Sequence, residues 1–156
     1  MPKTSAGILL HRRGEVLLVH PGGPFFARKD LGAWSIPKGE LEPGEEPRTR
    51  ALIEFAEETG TDLGDPDATE LGEVKQKGGK TVLAYAVEGD LDADAITSNT
   101  FEMEWPPRSG RRQSFPEVDR AAWFDLEEAG RRINPAQAEF LERLRRCQLA
   151  NRRGSA

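Results

Sequence analysis

The apolar residues of the first part of the chain fall into short blocks divided by polar turns. Gly7-Ile8-Leu9-Leu10-His11 and Glu15-Val16-Leu17-Leu18-Val19-His20 are aliphatic runs separated by Arg12-Arg13-Gly14, the pattern of a β-hairpin with a tight turn. Pro21-Gly22-Gly23-Pro24 ends the second run and opens a loop that carries Phe25, Phe26, Arg28 and Lys29 as far as Gly32-Ala33-Trp34-Ser35-Ile36-Pro37. From Pro47 to Thr59 the apolar positions Ala51, Leu52 and Phe55 have helical spacing. Pro47 suits the first helical position and Gly60 the position just past the end. Val74 and the run Thr81 to Val87 read as strands around a Gly78-Gly79 turn.

Further along, the polar stretch from Glu88 to Asn99 and the segment from Phe101 to the basic loop Arg108 to Arg112 read as connections and edge structure. Ala121-Ala122-Trp123-Phe124 has the look of a short buried strand, followed by a helical turn or two from Leu126 to Arg132. Asn134-Pro135 supplies a cap and first position for a terminal helix to about Leu149, with a frayed tail from Asn151 to Ala156. Strands, one helix, more strands and then helices, without repeats, predict an α+β fold: a mixed sheet with flanking helices. The length of 156 residues fits a single domain, placed at residues 1–150.

Composition narrows the function classes. With 27 acidic against 22 basic residues the formal charge is −5, so a generally basic surface for a nucleic-acid backbone is absent, and a polyanionic substrate needs a metal or a local basic patch. Cys147 is the single cysteine and has no partner for an internal disulfide. No signal-like h-region and no run near the ~18 apolar residues of a membrane span are present, so the expectation is a cytoplasmic protein with no membrane partner.

The chemistry is concentrated between Gly39 and Gly60, a segment with seven glutamates. On a helix Glu54, Glu57 and Glu58 stand at i, i+3 and i+4, with their carboxylates on one face. Such crowding costs free energy unless a cation offsets it, and clustered carboxylate oxygens suit magnesium or manganese bridged to substrate phosphates. A solvated acidic face paired with Arg48 and Arg50 is the plain alternative. The context decides between them. The spacing resembles the Nudix box: glycine, five residues, glutamate, seven residues, arginine-glutamate, an apolar residue, any residue, two glutamates, any residue, glycine and an apolar residue. Gly39, Glu45, Glu54, Phe55, Glu57, Glu58 and Gly60 are in register, and Trp34-Ser35-Ile36-Pro37-Lys38 precedes them. Ile53 stands where the family has arginine, and Thr61 where it prefers an aliphatic residue. That arginine braces a glutamate in the family, so Ile53 leaves Glu45 without its usual partner, with Arg48 and Arg50 as possible replacements.

The resemblance implies a Nudix-type mixed β-sheet between α-helices and a magnesium-dependent hydrolysis of diphosphate linkages. It implies Gly39 (through its carbonyl), Glu54, Glu57 and Glu58 as metal ligands, with Glu57 or the more remote Glu117 taking the proton of the attacking water. Glu102 and Glu104 rival Glu117 for that late position. Lys38 before the glycine resembles the proline-lysine-glycine variant of members acting on dinucleoside polyphosphates, capped RNA ends or inositol polyphosphates. It implies a phosphate contact at Lys38. Arg108, Arg111 and Arg112 could clamp phosphates, and Phe25, Phe26, Trp34, Tyr85 and Trp105 include candidates to stack on a base. His11 and His20, lacking a paired carboxylate in the sequence, read as structural. The leading expectation is a hydrolase of a small nucleotide, a nucleoside triphosphate or dinucleoside polyphosphate. The alternatives are an RNA 5′-pyrophosphohydrolase, disfavoured by net charge and favoured by the arginine loop, and a non-catalytic nucleotide sensor motivated by Ile53. The oligomeric state is left open.

Overall fold

The computed structural model of the protein describes residues 3–154. β1 (Thr4–Arg12) and β2 (Glu15–Pro21) form the hairpin that the aliphatic runs predict. Arg13 and Gly14 make its two-residue turn at positive φ, 39° and 81°, the geometry whose twist matches that of the flanking strands. Pairing between the two strands is confined to the closed end, where His11 faces Val16 and Arg12 faces Glu15. Beyond that point the strands part, and residues 34–40 fill the gap. Ser35 exchanges two backbone hydrogen bonds with Val19 at 2.9 and 3.0 Å, and the Pro37 carbonyl accepts from the Ile8 amide at 3.1 Å. The three residues of β3 (Lys38–Glu40) then pair antiparallel with β1. Gly7 permits the approach, because a Cβ there would lie 2.4 Å from the Pro37 oxygen.

α1 (Pro47–Thr59) has the boundaries expected of it. The Glu46 carboxylate accepts from the Arg48 and Thr49 amides at 3.1 and 2.8 Å, and Gly60 closes the helix in the left-handed conformation at φ 79°, where a side chain would be strained. The main sheet continues with β4 (Thr69–Lys75) and β5 (Thr81–Glu88), and is completed by β8 (Val118–Asp125) to give the order β4-β5-β1-β2-β8. Only the β1–β5 pairing is parallel, so the sheet is mixed. Leu9, Leu18 and Val82 face α2 (Leu126–Arg132) and α3 (Ala138–Gly154), packing on Ala129, Phe140 and Leu144. Ile8, Leu17 and Val87 face the other way, onto Ala51 and Phe55 of α1. Two buried faces explain why the strands read as continuous aliphatic runs rather than alternating ones.

Several boundaries differ from the sequence expectation. β4 is seven residues long, where Val74 alone signalled it, and β8 begins at Val118 rather than Ala121. The stretch read as connections and edge structure contains a separate antiparallel hairpin, β6 (Thr100–Glu104) with β7 (Arg112–Pro116). Asn134 caps a short 3-10 turn, Pro135–Gln137, before α3 starts at Ala138. α3 runs to Gly154, past Leu149 and through the first four residues expected to fray; residues 155–156 lie outside the described residues. Among the described residues no helix is long and apolar enough to cross a membrane.

Candidate active site

The C-terminal half of α1 presses its carboxylates onto the backbone of β3. A Cβ on Gly39 would lie 2.0 Å from the Glu54 carboxyl carbon, so glycine alone lets that carboxylate lie against the strand. One turn on, Glu58 Oε2 accepts from the Lys38 amide at 2.9 Å. Glu117, at the junction of β7 and β8, reaches the same place from the far end of the chain. Its amide donates to the Asn99 carbonyl at 2.8 Å and its carbonyl accepts from the Gly22 amide at 3.0 Å. Glu58, Glu117 and Lys38 together line a cleft of about 280 Å³. The rivals Glu102 and Glu104 are exposed on β6, where Glu102 pairs with Arg112 at 3.6 Å.

Electrostatics confirms the crowding. Burial, and then the nearby Glu54, push the Glu58 carboxyl up to about 8. Burial and then Glu57 raise Glu54, and the same two causes raise Glu117. Burial lowers the Lys38 ammonium, opposed by Glu58. Four acids and one lysine thus share a partly desolvated site that retains a proton near neutral pH. The donor set suits a hard divalent cation: several carboxylate oxygens, a strand backbone bared by Gly39, and a like-charge penalty that a cation removes. As they stand, no three acidic side chains among the described residues converge tightly enough to hold an ion. The reason is visible in their partners, since Glu54 leans to Arg50 at 3.2 Å and Glu58 to the Lys38 amide.

Of the two replacements offered for the arginine that Ile53 displaces, the structure uses Arg50. Its Nε donates to both Glu45 oxygens at 3.0 Å, and its Nη1 to Glu54. Glu45 therefore has a partner, and these hydrogen bonds hold its carboxyl below the usual range. The arginine sits at i−4 from Glu54 on α1, so one guanidinium ties the loop before the helix to a carboxylate of the cluster. Arg48 instead turns outward to Asp65 at 3.1 Å. Ile53 is 39% exposed and takes no part.

The other sequence candidates divide by location. Phe26 lines the cleft, whereas Trp34 and Tyr85 are buried in the core. Phe25 and Trp105 meet edge to face on the rim, with ring centroids 5.5 Å apart. Arg108, Arg111 and Arg112 sit at the exposed tip and start of the β6–β7 hairpin and do not line the cleft. His20, read as lacking a carboxylate, has one: its Nδ1 lies 2.8 Å from Asp119 and its Nε2 2.6 Å from the Lys29 carbonyl. It remains structural, anchoring the loop that carries Phe25 and Phe26. The reading missed Gln137, which is fully buried and lines the same cleft. Its Oε1 accepts from the Ile36 amide at 3.1 Å, and its Nε2 donates to Ser35 Oγ and Gln76 Oε1 at 3.0 and 3.1 Å. The Asn134-Pro135 cap located the turn, but nothing in the sequence showed which of its residues faces inward.

With this geometry in place, the chain matches a known family model, the NUDIX domain, over residues 1–144. The chain belongs to the NUDIX family. Among similar proteins are two named RNA pyrophosphohydrolase: one from Rhodospirillum rubrum, 38% identical over 38% of this chain and 39% of its own length, and one from Erythrobacter litoralis, 42% identical over 32% and 35%. The chain thus matches well under half the length of these relatives. Among solved structures, the C. elegans Ap4A hydrolase binary complex shares the fold with a TM-score of 0.66 at 17% identity, covering 94% of this chain and 98% of that one. The MutT protein from Methanosarcina mazei Go1 does so with a TM-score of 0.63 at 23% identity, covering 94% and 96%. At such identities the NUDIX likeness to these two is one of fold.

Proposed function

We propose that this NUDIX protein is a metal-dependent hydrolase that cleaves a diphosphate linkage in a nucleoside polyphosphate. The observation that carries the reading is the meeting of Glu58 and Glu117 with Lys38 in one cleft, with Glu54 and Glu57 close enough to raise the carboxyls beside them. Magnesium or manganese would be held by the Gly39 carbonyl and by Glu54, Glu57 and Glu58. When bound, the metal supplies charge neutralisation and acidifies a coordinated water.

The chain's own groups do the rest. The Lys38 ammonium, partly desolvated, meets a phosphate oxygen. Glu57 or Glu117 accepts the proton from the water whose oxygen forms the new bond to phosphorus. The bridging P–O bond breaks, and its electron pair leaves with the second phosphate. Arg50 holds Glu54 and Glu45 in place. Phe26 and the amide cluster around Gln137 line the remainder of the cleft, where a nucleoside would lie. Relatives named RNA pyrophosphohydrolase and a neighbour named Ap4A hydrolase support diphosphate cleavage as the reaction type.

The test is incubation with magnesium and a panel of nucleoside triphosphates, dinucleoside polyphosphates and 5′-triphosphorylated RNA, with products resolved by chromatography. Turnover abolished in Glu57→Gln supports the reading. Tight nucleotide binding without turnover would replace it with a sensor.

A further inference from the structure

The arginines of the β6–β7 hairpin are too far from the carboxylates to serve the linkage being cleaved. β7 runs from Arg112 to Pro116, directly before Glu117. At roughly 3.3 Å per residue, the Arg112 backbone lies about 17 Å and that of Arg111 about 20 Å from the Glu117 backbone. A nucleoside triphosphate keeps its phosphates beside the scissile linkage, whereas phosphates spaced along a polymer extend along the strand toward the hairpin tip.

The surface between cleft and tip is continuous and suited to such a polymer. Phe26 lines the cleft, and the adjoining Phe25, 60% exposed, leans edge-on against Trp105 at the neck of the hairpin. The Trp105 amide donates to the Arg111 carbonyl at 2.9 Å, which places the first tip arginine across the strand from the aromatic pair. Among the described residues, Arg28, Arg108 and Arg111 have no carboxylate within ion-pair distance, and Arg112 has only a loose one to Glu102. The hairpin is fixed to the loop, with Gly22 packed so closely on Pro116 that a Cβ would lie 1.9 Å from the Pro116 oxygen. Unpaired guanidiniums beside exposed aromatic faces are the combination that holds single-stranded nucleic acid. In a chain of net charge −5 they form a local basic patch.

We infer that the loop bearing Phe25 and the β6–β7 hairpin form a binding surface for the first nucleotides of a single-stranded RNA whose 5′-terminal phosphates enter the cleft. The inference rests on the proposed hydrolase reading and narrows its substrate to RNA 5′ ends. A base stacks on Phe25, and Arg108, Arg111 and Arg112 contact successive backbone phosphates.

Two measurements test it. In the first, a 3′-fluorescent, 5′-triphosphorylated RNA oligonucleotide is titrated with the Glu57→Gln chain, with and without the triple change Arg108→Ala, Arg111→Ala and Arg112→Ala, and anisotropy is followed over a series of salt concentrations. Loss of three phosphate contacts should lower the slope of log Kd against log salt by about 2, at roughly 0.7 per contact. It should also weaken binding about tenfold or more. Phe25→Ser should weaken binding by a comparable factor and leave the slope unchanged. In the second, kcat/KM for the RNA relative to ATP is compared in the active chain with and without the triple change, and the ratio should fall about tenfold or more. An unchanged salt slope with an unchanged ratio overturns the surface, leaving the arginines to solubility. If no substrate is hydrolysed by the active chain, the hydrolase reading fails, while the anisotropy series still decides the surface.

Discussion

Arg50 reaches Glu45 and Glu54 from a position on α1 three residues before the one the family uses. Removing a group that orients ligands without touching the reacting atoms typically costs 10- to 100-fold, and Arg50→Ala should lower kcat/KM by about that much. Ile53→Arg in the same background should restore part of the loss, because residue 53 is exposed and can accept the longer side chain; a full-rate Arg50→Ala would show the brace to be dispensable. Glu58 sets a pH dependence. Its proton leaves the unfolded chain near the ordinary value of 4.5 and the folded one at about 8. The folded state therefore binds more protons in that interval, so this residue's contribution makes stability fall as pH rises from 4.5 through 8. A cation replaces the proton, so saturating magnesium should raise Tm little at about pH 6 and by several degrees at about pH 9. At this scale the box was legible, because helical spacing alone puts Glu54, Glu57 and Glu58 on one face. The Arg50–Glu54 pair follows from the same rule. The Arg50–Glu45 contact depends on how the preceding loop folds back, and His20–Asp119 joins residues 99 apart, so neither was written locally.

Among the elements, the hairpin and α1 announce themselves by turn and cap chemistry, and both were legible. β3 was not, for it is three residues long and held by backbone pairing and a bared glycine rather than by an apolar pattern. β4 hid because five of its seven residues are exposed, and β6 and β7 because their partner is each other rather than the core. Glycine marks where such elements touch. Gly22→Ala should force the loop and β7 apart at a backbone contact, costing about 1–3 kcal/mol in chemical denaturation and lowering activity, because the Glu117 carbonyl takes its hydrogen bond from Gly22. Gly14→Ala is the control: it has open space at φ 81°, so its loss of about 1 kcal/mol should come from the turn alone, with activity intact.

Across the whole molecule, the sheet separates two packed layers that share no helix. Phe140 is fully buried on the α3 side and Phe55 on the α1 side. Each truncation to alanine should cost about 3–5 kcal/mol. Phe140→Ala should leave the magnesium-induced rise in Tm intact, whereas Phe55→Ala should diminish it, since Phe55 seats the helix that carries Glu54, Glu57 and Glu58. The mixed sheet was legible from the order of strands and helices; the parting of β1 from β2 was not, since it depends on a distant segment wedging between them. The segment that fills the parting borders a cleft lined by Lys38 and Glu58 and also by Gln137. Reaction and recognition are thereby assigned to different parts of the polypeptide, one the short stretch from Lys38 to Glu58 joined by Glu117, the other the loop, the hairpin and the turn before α3. Descendants of such a protein can exchange what they recognise by substitutions in the loop, the hairpin and the turn while the carboxylates keep what they do to it, and a designer wishing to retarget the activity has the same freedom.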